Sequence, residues 1–168
     1  MSKKCGKSAE FALVREERSQ LVVGYGKTKV DGKSLYEWYE VGFNTKKSGK
    51  PTLDQVKQAI FDDINSRTDE KILSGFVWNN KPVWLSAESQ TNFSAAEYTA
   101  STKNGLGLPV TFKLGEQDGT PVYHEFTTVE ELSGFYLQAQ AYIKQCLCDG
   151  WQEKDNIDWE PYEEYFNK

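Results

Sequence analysis

Ten residues, Phe76 to Leu85, constrain the fold of this chain more than any others. The run Gly75-Phe-Val-Trp-Asn-Asn-Lys-Pro-Val-Trp-Leu85 sets two short apolar strands around Asn79–Asn80. Asparagine tolerates the positive φ that a tight type I′ turn demands at both central positions. Alternation puts Phe76 and Trp78 on one face and Val77 on the other. Pro82 offers no N–H, so its strand is either an edge or turns this position away from the ladder. An antiparallel hairpin that carries tryptophans needs something to pack against, and the flanking sequence supplies helices.

Upstream, Thr52 and Gln55 form a capping-box pattern, after which Leu53, Val56, Ile60 and Ile64 recur at helical spacing. Residues 68–73 lead from this helix to the sheet, with a short helical extension there as an alternative. Downstream, Ser86 or a neighbour opens a second helix that runs to about Lys103, and Asn104–Gly105 is its stop. A second hairpin follows: one strand over 108–114, a turn at Asp118–Gly119, and a return over 121–126. Thr128 and Glu131 then form another capping box, and the apolar positions from Val129 to Leu147 predict a long third helix ended by Asp149–Gly150.

The N-terminal part reads differently. Residues 1–20 are polar and aperiodic, predicting a loose arm. Residues 21–51 hold a further hairpin, with strands at Leu21–Val23 and 35–43, a turn signal at Asp31–Gly32 and a Lys/Ser/Gly-rich loop over 45–51. Residues 52–159 form the main domain. Residues 160–168 are an acidic–aromatic tail, which either packs its rings on the domain or docks a basic partner. The predicted class is α+β, a single compact domain of antiparallel hairpins alternating with three helices (ββ-α-ββ-α-ββ-α).

Composition narrows the function. A net charge of −5 argues against nucleic-acid binding, since phosphates recruit basic surfaces. The longest apolar runs fall far short of the ~20 residues of a membrane span, and no apolar segment follows the N-terminal lysines to make a signal peptide. Three cysteines, Cys5, Cys146 and Cys148, give no disulfide framework and point to a reducing cytosol.

Catalytic and metal chemistry find little support. The one histidine, His124, lies mid-strand with no serine or cysteine placed beside it by sequence. Cys146 and Cys148 are two apart on a helix and so diverge, and the Asp62–Asp63 pair lacks calcium-loop spacing. Gly24-Tyr-Gly26-Lys27-Thr28 and Gly6-Lys7-Ser8 end like a phosphate loop, but Leu21 and Met1 stand where its first glycine belongs. The expectation is therefore a non-enzymatic chain with no cofactor and no metal.

The run Ile72-Leu-Ser-Gly-Phe76-Val-Trp78-Asn-Asn-Lys-Pro-Val83-Trp84-Leu-Ser86-Ala-Glu-Ser-Gln90 resembles a domain of unknown function encoded in phages and prophages. In that family an I-x-x-G-F-x-[WY]-x-G-x-x-[FW] hairpin leads into a helix with a Ser-x-x-Gln-like start. The resemblance covers residues 52–159, with Asn80 standing where the family's turn often has glycine. It implies a tail-fibre or tail-assembly setting, with other protein subunits such as phage tail proteins as partners and a homo-oligomer compatible with it. It also implies the host cytoplasm, with incorporation into a virion open. The motif is structural and brings no catalytic residues. Trp78, Trp84, Tyr123, Trp159 and Tyr162 are the candidate partner or ligand contacts. A carbohydrate-binding module that stacks a sugar on such rings is the alternative.

Overall fold

The computed structural model describes residues 3–167, so Met1, Ser2 and Lys168, which belong to the expected arm and tail, lie outside the described residues. In chain order the elements are β1 (Lys4–Gly6), a 3₁₀ turn (Ser8–Glu10), β2 (Val14–Glu17), β3 (Gln20–Lys29), β4 (Tyr36–Asn44), α1 (Thr45–Ser48) and α2 (Leu53–Ser74). They continue with β5 (Phe76–Trp78), β6 (Lys81–Val83), α3 (Ala87–Thr102), β7 (Val110–Gln117), β8 (Thr120–Phe126), α4 (Val129–Asp155) and α5 (Glu160–Phe166). All strand pairings are antiparallel, and the class is α+β. Two compact units emerge: residues up to Ser66 with those from Trp151 onward, and Arg67–Gly150.

In the first unit β1–β4 make one sheet in the order β1-β4-β3-β2. The expected loose arm is corrected here. Lys4–Gly6 pairs with Tyr36–Trp38, and Val14–Glu17 pairs with Gln20–Val23. The arm's polar sequence hid these strands because each is short, lies at a sheet edge and exposes most of its side chains. The strand opened by Leu21 runs through Gly24 and Gly26 to Lys29, absorbing the glycines in an irregular register between Tyr25 and Thr28. Its inward residues Leu21, Val23 and Tyr25 join Val41 and the α2 residues Val56, Ile60 and Ile64 in one core. The α2 capping box is present in both directions. Thr52 N donates to Gln55 Oε1 at 2.9 Å, and Gln55 N donates to Thr52 Oγ1 at 3.3 Å.

The expected tail is α5, and it is packed. Tyr162 is 4% exposed, belongs to the same core, and its hydroxyl donates to the Gly24 carbonyl at 2.8 Å. Tyr25 donates to the buried Asp63 carboxylate, which keeps that charge hydrogen-bonded.

The second unit is built from the two hairpins and α3–α4. Asn79 and Asn80 take φ of 49° and 60°, and Trp78 faces Lys81 across them, as a type I′ turn requires. Asp118 and Gly119 repeat the geometry between β7 and β8. The hairpins meet where Trp84 N donates to the Leu114 carbonyl at 2.7 Å. Gly115 makes this approach possible, because a Cβ there would lie 2.7 Å from the Pro82 carbonyl oxygen.

Ser86 caps α3 as predicted, accepting from Ser89 N. The predicted end of the long helix at Gly150 is overturned, since α4 continues to Asp155. Gly150 is instead a packing residue: a Cβ there would meet Thr68 Oγ1 at 2.6 Å. One core joins Phe76, Trp78, Val83, Leu85, Phe93, Leu114, Phe126, Leu132 and Phe135. Among the described residues, no buried side-chain nitrogen or oxygen lacks a hydrogen-bond partner.

Candidate functional site

Antiparallel alternation gives β5–β8 two faces. Phe76, Trp78, Val83, Leu114 and Phe126 go into the core. Val77 pairs with Pro82 and Lys113 pairs with Tyr123, so these side chains share the opposite face. Trp84 joins them, as the Lys113 ammonium lies 5.3 Å from its ring centroid. Lys113 is also held by Glu116 at 2.8 Å. Val77 and Tyr123 are each 60% exposed and Trp84 is 39% exposed. Large apolar groups gathered on a solvated sheet face are the usual mark of a contact surface.

Of the residues singled out from sequence, the structure brings Trp84 and Tyr123 onto this face and separates the others from it. Trp78 is 5% exposed, with ring contacts to His124, Phe126 and Phe135 at 4.9, 5.4 and 5.1 Å. It is a core residue and offers no stacking platform. Tyr162 is buried in the other unit. Trp159 is half-buried there, edge-on to Phe61 at 5.8 Å, with the Lys57 ammonium 5.2 Å from its ring.

Two features escaped the sequence reading. His124 is the centre of a chain of polar contacts: Lys81 Nζ lies 2.9 Å from Nδ1, and Glu131 Oε1 lies 2.8 Å from Nε2. An ammonium can only donate, so Nδ1 accepts and the proton sits on Nε2, facing the carboxylate. These contacts tie β6, β8 and the first turn of α4 together. Glu131 was visible as a capping-box residue, and its N–H does bond Thr128 Oγ1 at 3.2 Å. Its side chain, however, reaches His124 and the Thr127 N–H. Lys81 carried no local signal.

The second feature is a cavity of about 600 Å³ in the first unit, walled by Phe11, Leu13, Tyr25, Tyr39, Ile157 and Tyr162. Lys27 stands at its rim, held by Ser8 Oγ at 2.9 Å, its ammonium 4.9 Å from the ring centroids of Phe11 and Tyr36. Burial pushes the Tyr162 phenol up to about 12, and the Asp158 charge adds to the rise. Its walls come from residues more than a hundred positions apart, beyond the reach of local pattern.

Among the described residues, no group of three or more His, Cys, Asp or Glu is placed to hold a metal ion, and no helix is long and apolar enough to cross a membrane. No curated protein and no solved structure matches the chain. The profile of one family, described as "Domain of unknown function (DUF4376)", matches residues 55–167. That span takes in the β5–β6 and β7–β8 hairpins, the aromatic face and all but the start of α2, and it covers well over half of the 168 residues; the chain belongs to the DUF4376 family.

Proposed function

We propose that this chain is a non-enzymatic phage or prophage protein, a tail-associated structural or assembly component that works by protein–protein contact. The observation that carries the reading is the solvated sheet face with Val77, Trp84 and Tyr123, inside the family-matched region. Rigid aromatic rings on a β-sheet give large contact area at low entropic cost. The resemblance of Ile72–Gln90 to phage-encoded domains supplies the partners, tail proteins meeting the chain in the host cytoplasm.

The test is to induce a lysogen carrying the tagged gene and identify proteins in purified tails and tail intermediates by mass spectrometry. The reading expects the chain to co-purify with a tail component and Trp84→Ser to weaken that capture at least tenfold. Absence from tails and intermediates, or full capture of the Trp84→Ser variant, would sink it.

The aromatic cavity in the first unit favours a second reading, a small-ligand module, and moves it away from the hairpin where Trp78 is buried. Its volume lies in the range of small-molecule sites. Trp38, 6.0 Å from Phe11, and Trp159, 5.4 Å from Tyr162, are built-in reporters. A monosaccharide panel that leaves their fluorescence unchanged would remove the carbohydrate form of this reading.

A further inference from the structure

Among the described residues β8 has a ladder partner on one side only, β7. The tight turn fixes which of its backbone groups are already used. Gln117 faces Thr120 across Asp118–Gly119, and in a two-residue hairpin the flanking pair exchanges both N–H···O=C bonds. Alternation then turns the backbone groups of Val122, His124 and Phe126 toward β7. Those of Pro121, Tyr123 and Glu125 face outward. The register skip between Lys113 and Gly115 lies on β7 and leaves this alternation along β8 intact. Pro121 agrees, because its missing N–H falls on the outer edge, where the existing ladder loses nothing.

We propose that this edge pairs antiparallel with the same edge of a second copy of the chain, with the two-fold axis at Tyr123. In that register the two Tyr123 residues exchange N–H···O=C bonds. Each Glu125 N–H reaches the Pro121 carbonyl of the other copy, and only the return bond, from the proline's missing N–H to the Glu125 carbonyl, is lost. The tyrosine rings lie side by side on the solvent face, a favourable cross-strand pair. Neighbouring registers are worse for stated reasons. An axis at Glu125 sets two carboxylates directly opposite. An axis at His124 brings together two imidazoles, each bonded to a Lys81 ammonium. An axis at Val122 sets Pro121 against Tyr123 and Glu125 against the Asp118–Gly119 turn, so two interchain bonds form where the Tyr123 axis makes four. The edge is thus complementary to itself in one register, which is what an isologous dimer requires.

This inference concerns the edge of β8, where the tail-protein reading concerns the sheet face, and the two can fail separately. The experiment uses the full chain with Cys5 and Cys148 replaced by serine. Opposed residues in a hydrogen-bonded pair have Cα atoms ~5.5 Å apart, within disulfide range. Under mild oxidation Tyr123→Cys is expected to give a covalent dimer on a non-reducing gel, and Glu125→Cys is not. Light scattering of the unmodified chain should show a concentration-dependent dimer. Tyr123→Pro removes the outward N–H and the ring but no bond of the β7–β8 ladder, and should be monomeric with an unchanged circular dichroism spectrum. A wild-type chain that is monomeric at every concentration overturns the proposal. So does cross-linking of Glu125→Cys as readily as Tyr123→Cys. A monomer that still enters tails refutes the dimer alone, and a dimer that captures no tail protein refutes the tail reading alone.

Discussion

The cores of the two units are assembled by different means. In Arg67–Gly150 the hub is Phe135, with ring centroids of Trp78, Phe93 and Phe126 at 5.1, 5.0 and 5.0 Å and Phe76 at 6.3 Å. Each of those rings comes from a hairpin or helix defined by its own local sequence. The other unit joins Leu21, Val23 and Tyr25 on β3 to α2 and to Tyr162 on α5. It also buries polar groups, and the Tyr162–Gly24 hydrogen bond closes over 138 positions. One core is made almost wholly of apolar contact, and the other depends in part on directional bonds. Their mutational responses should differ accordingly.

The largest effect is expected at the aromatic hub. Phe135→Ala removes a fully buried ring from four aromatic neighbours, and such truncations cost about 3–5 kcal/mol. Urea denaturation at neutral pH should show a fall in unfolding free energy of that order. A loss below about 1 kcal/mol would mean that the ring cluster repacks freely and that the contrast between the cores is false.

Next comes the crossing of the two hairpins. Gly115→Ala drives a Cβ against the Pro82 backbone carbonyl, and backbone cannot swing aside as a side-chain tip can. Overpacking of this kind costs about 1–3 kcal/mol. The check is a thermal melt together with the amide signal of Trp84, whose bond to Leu114 should weaken.

How much of this was legible follows from the same contrast. Both type I′ turns, the Thr52–Gln55 capping box and the Ser86 cap rest on chemistry within three or four residues, and each stands where the sequence put it. Strands β1 and β2 were invisible because an edge strand with exposed side chains has no apolar period. Gly150 read as a helix stop because glycine serves both as a C-cap and as a close-packing residue, and only Thr68, far away in sequence, tells the two apart. Of the candidate site, Trp84 and Tyr123 were in hand. That they share a face follows from the Trp84–Leu114 bond, a non-local fact. Trp78 and Tyr162 stood as contact candidates beside a packing reading, because an aromatic residue in a strand or acidic tail looks the same whether it faces in or out; both are buried.

The directional bonds of the first unit can be tested at Tyr162. Tyr162→Phe keeps the ring but leaves the Gly24 carbonyl without its donor, a loss of about 1–2 kcal/mol. The pH dependence sharpens this. Burial raises the folded phenol from 10.0 to about 12, so its contribution is whole below pH 10 and is lost as pH climbs from 10 towards 12. The variant has no phenol to ionise there, and its stability should fall less steeply over that window. Tyr142, also raised to about 12 by burial, keeps some slope in both proteins. Parallel decline of the two curves would remove Tyr162 from the account.

The smallest effect is expected at a bond that looks strong on distance alone. Lys50 Nζ lies 2.6 Å from Glu16 Oε1, and the Tyr165 hydroxyl donates to the same oxygen at 2.5 Å. Both charged side chains are more than half exposed, so solvent and salt screen the pair and ordering two long chains offsets its attraction. Lys50→Ala should therefore leave the unfolding midpoint unchanged within error. The local chemistry should still respond. The Lys50 hydrogen bond is the main cause of the lowered Glu16 pKa, with Tyr165 second. In the variant the Glu16 carboxyl should rise towards 4.5 without reaching it, because Tyr165 continues to donate. A carboxyl titration by NMR that moves while the melt does not would separate an exposed polar contact from the buried one at Tyr162. Both belong to the same unit, and burial is the difference between them.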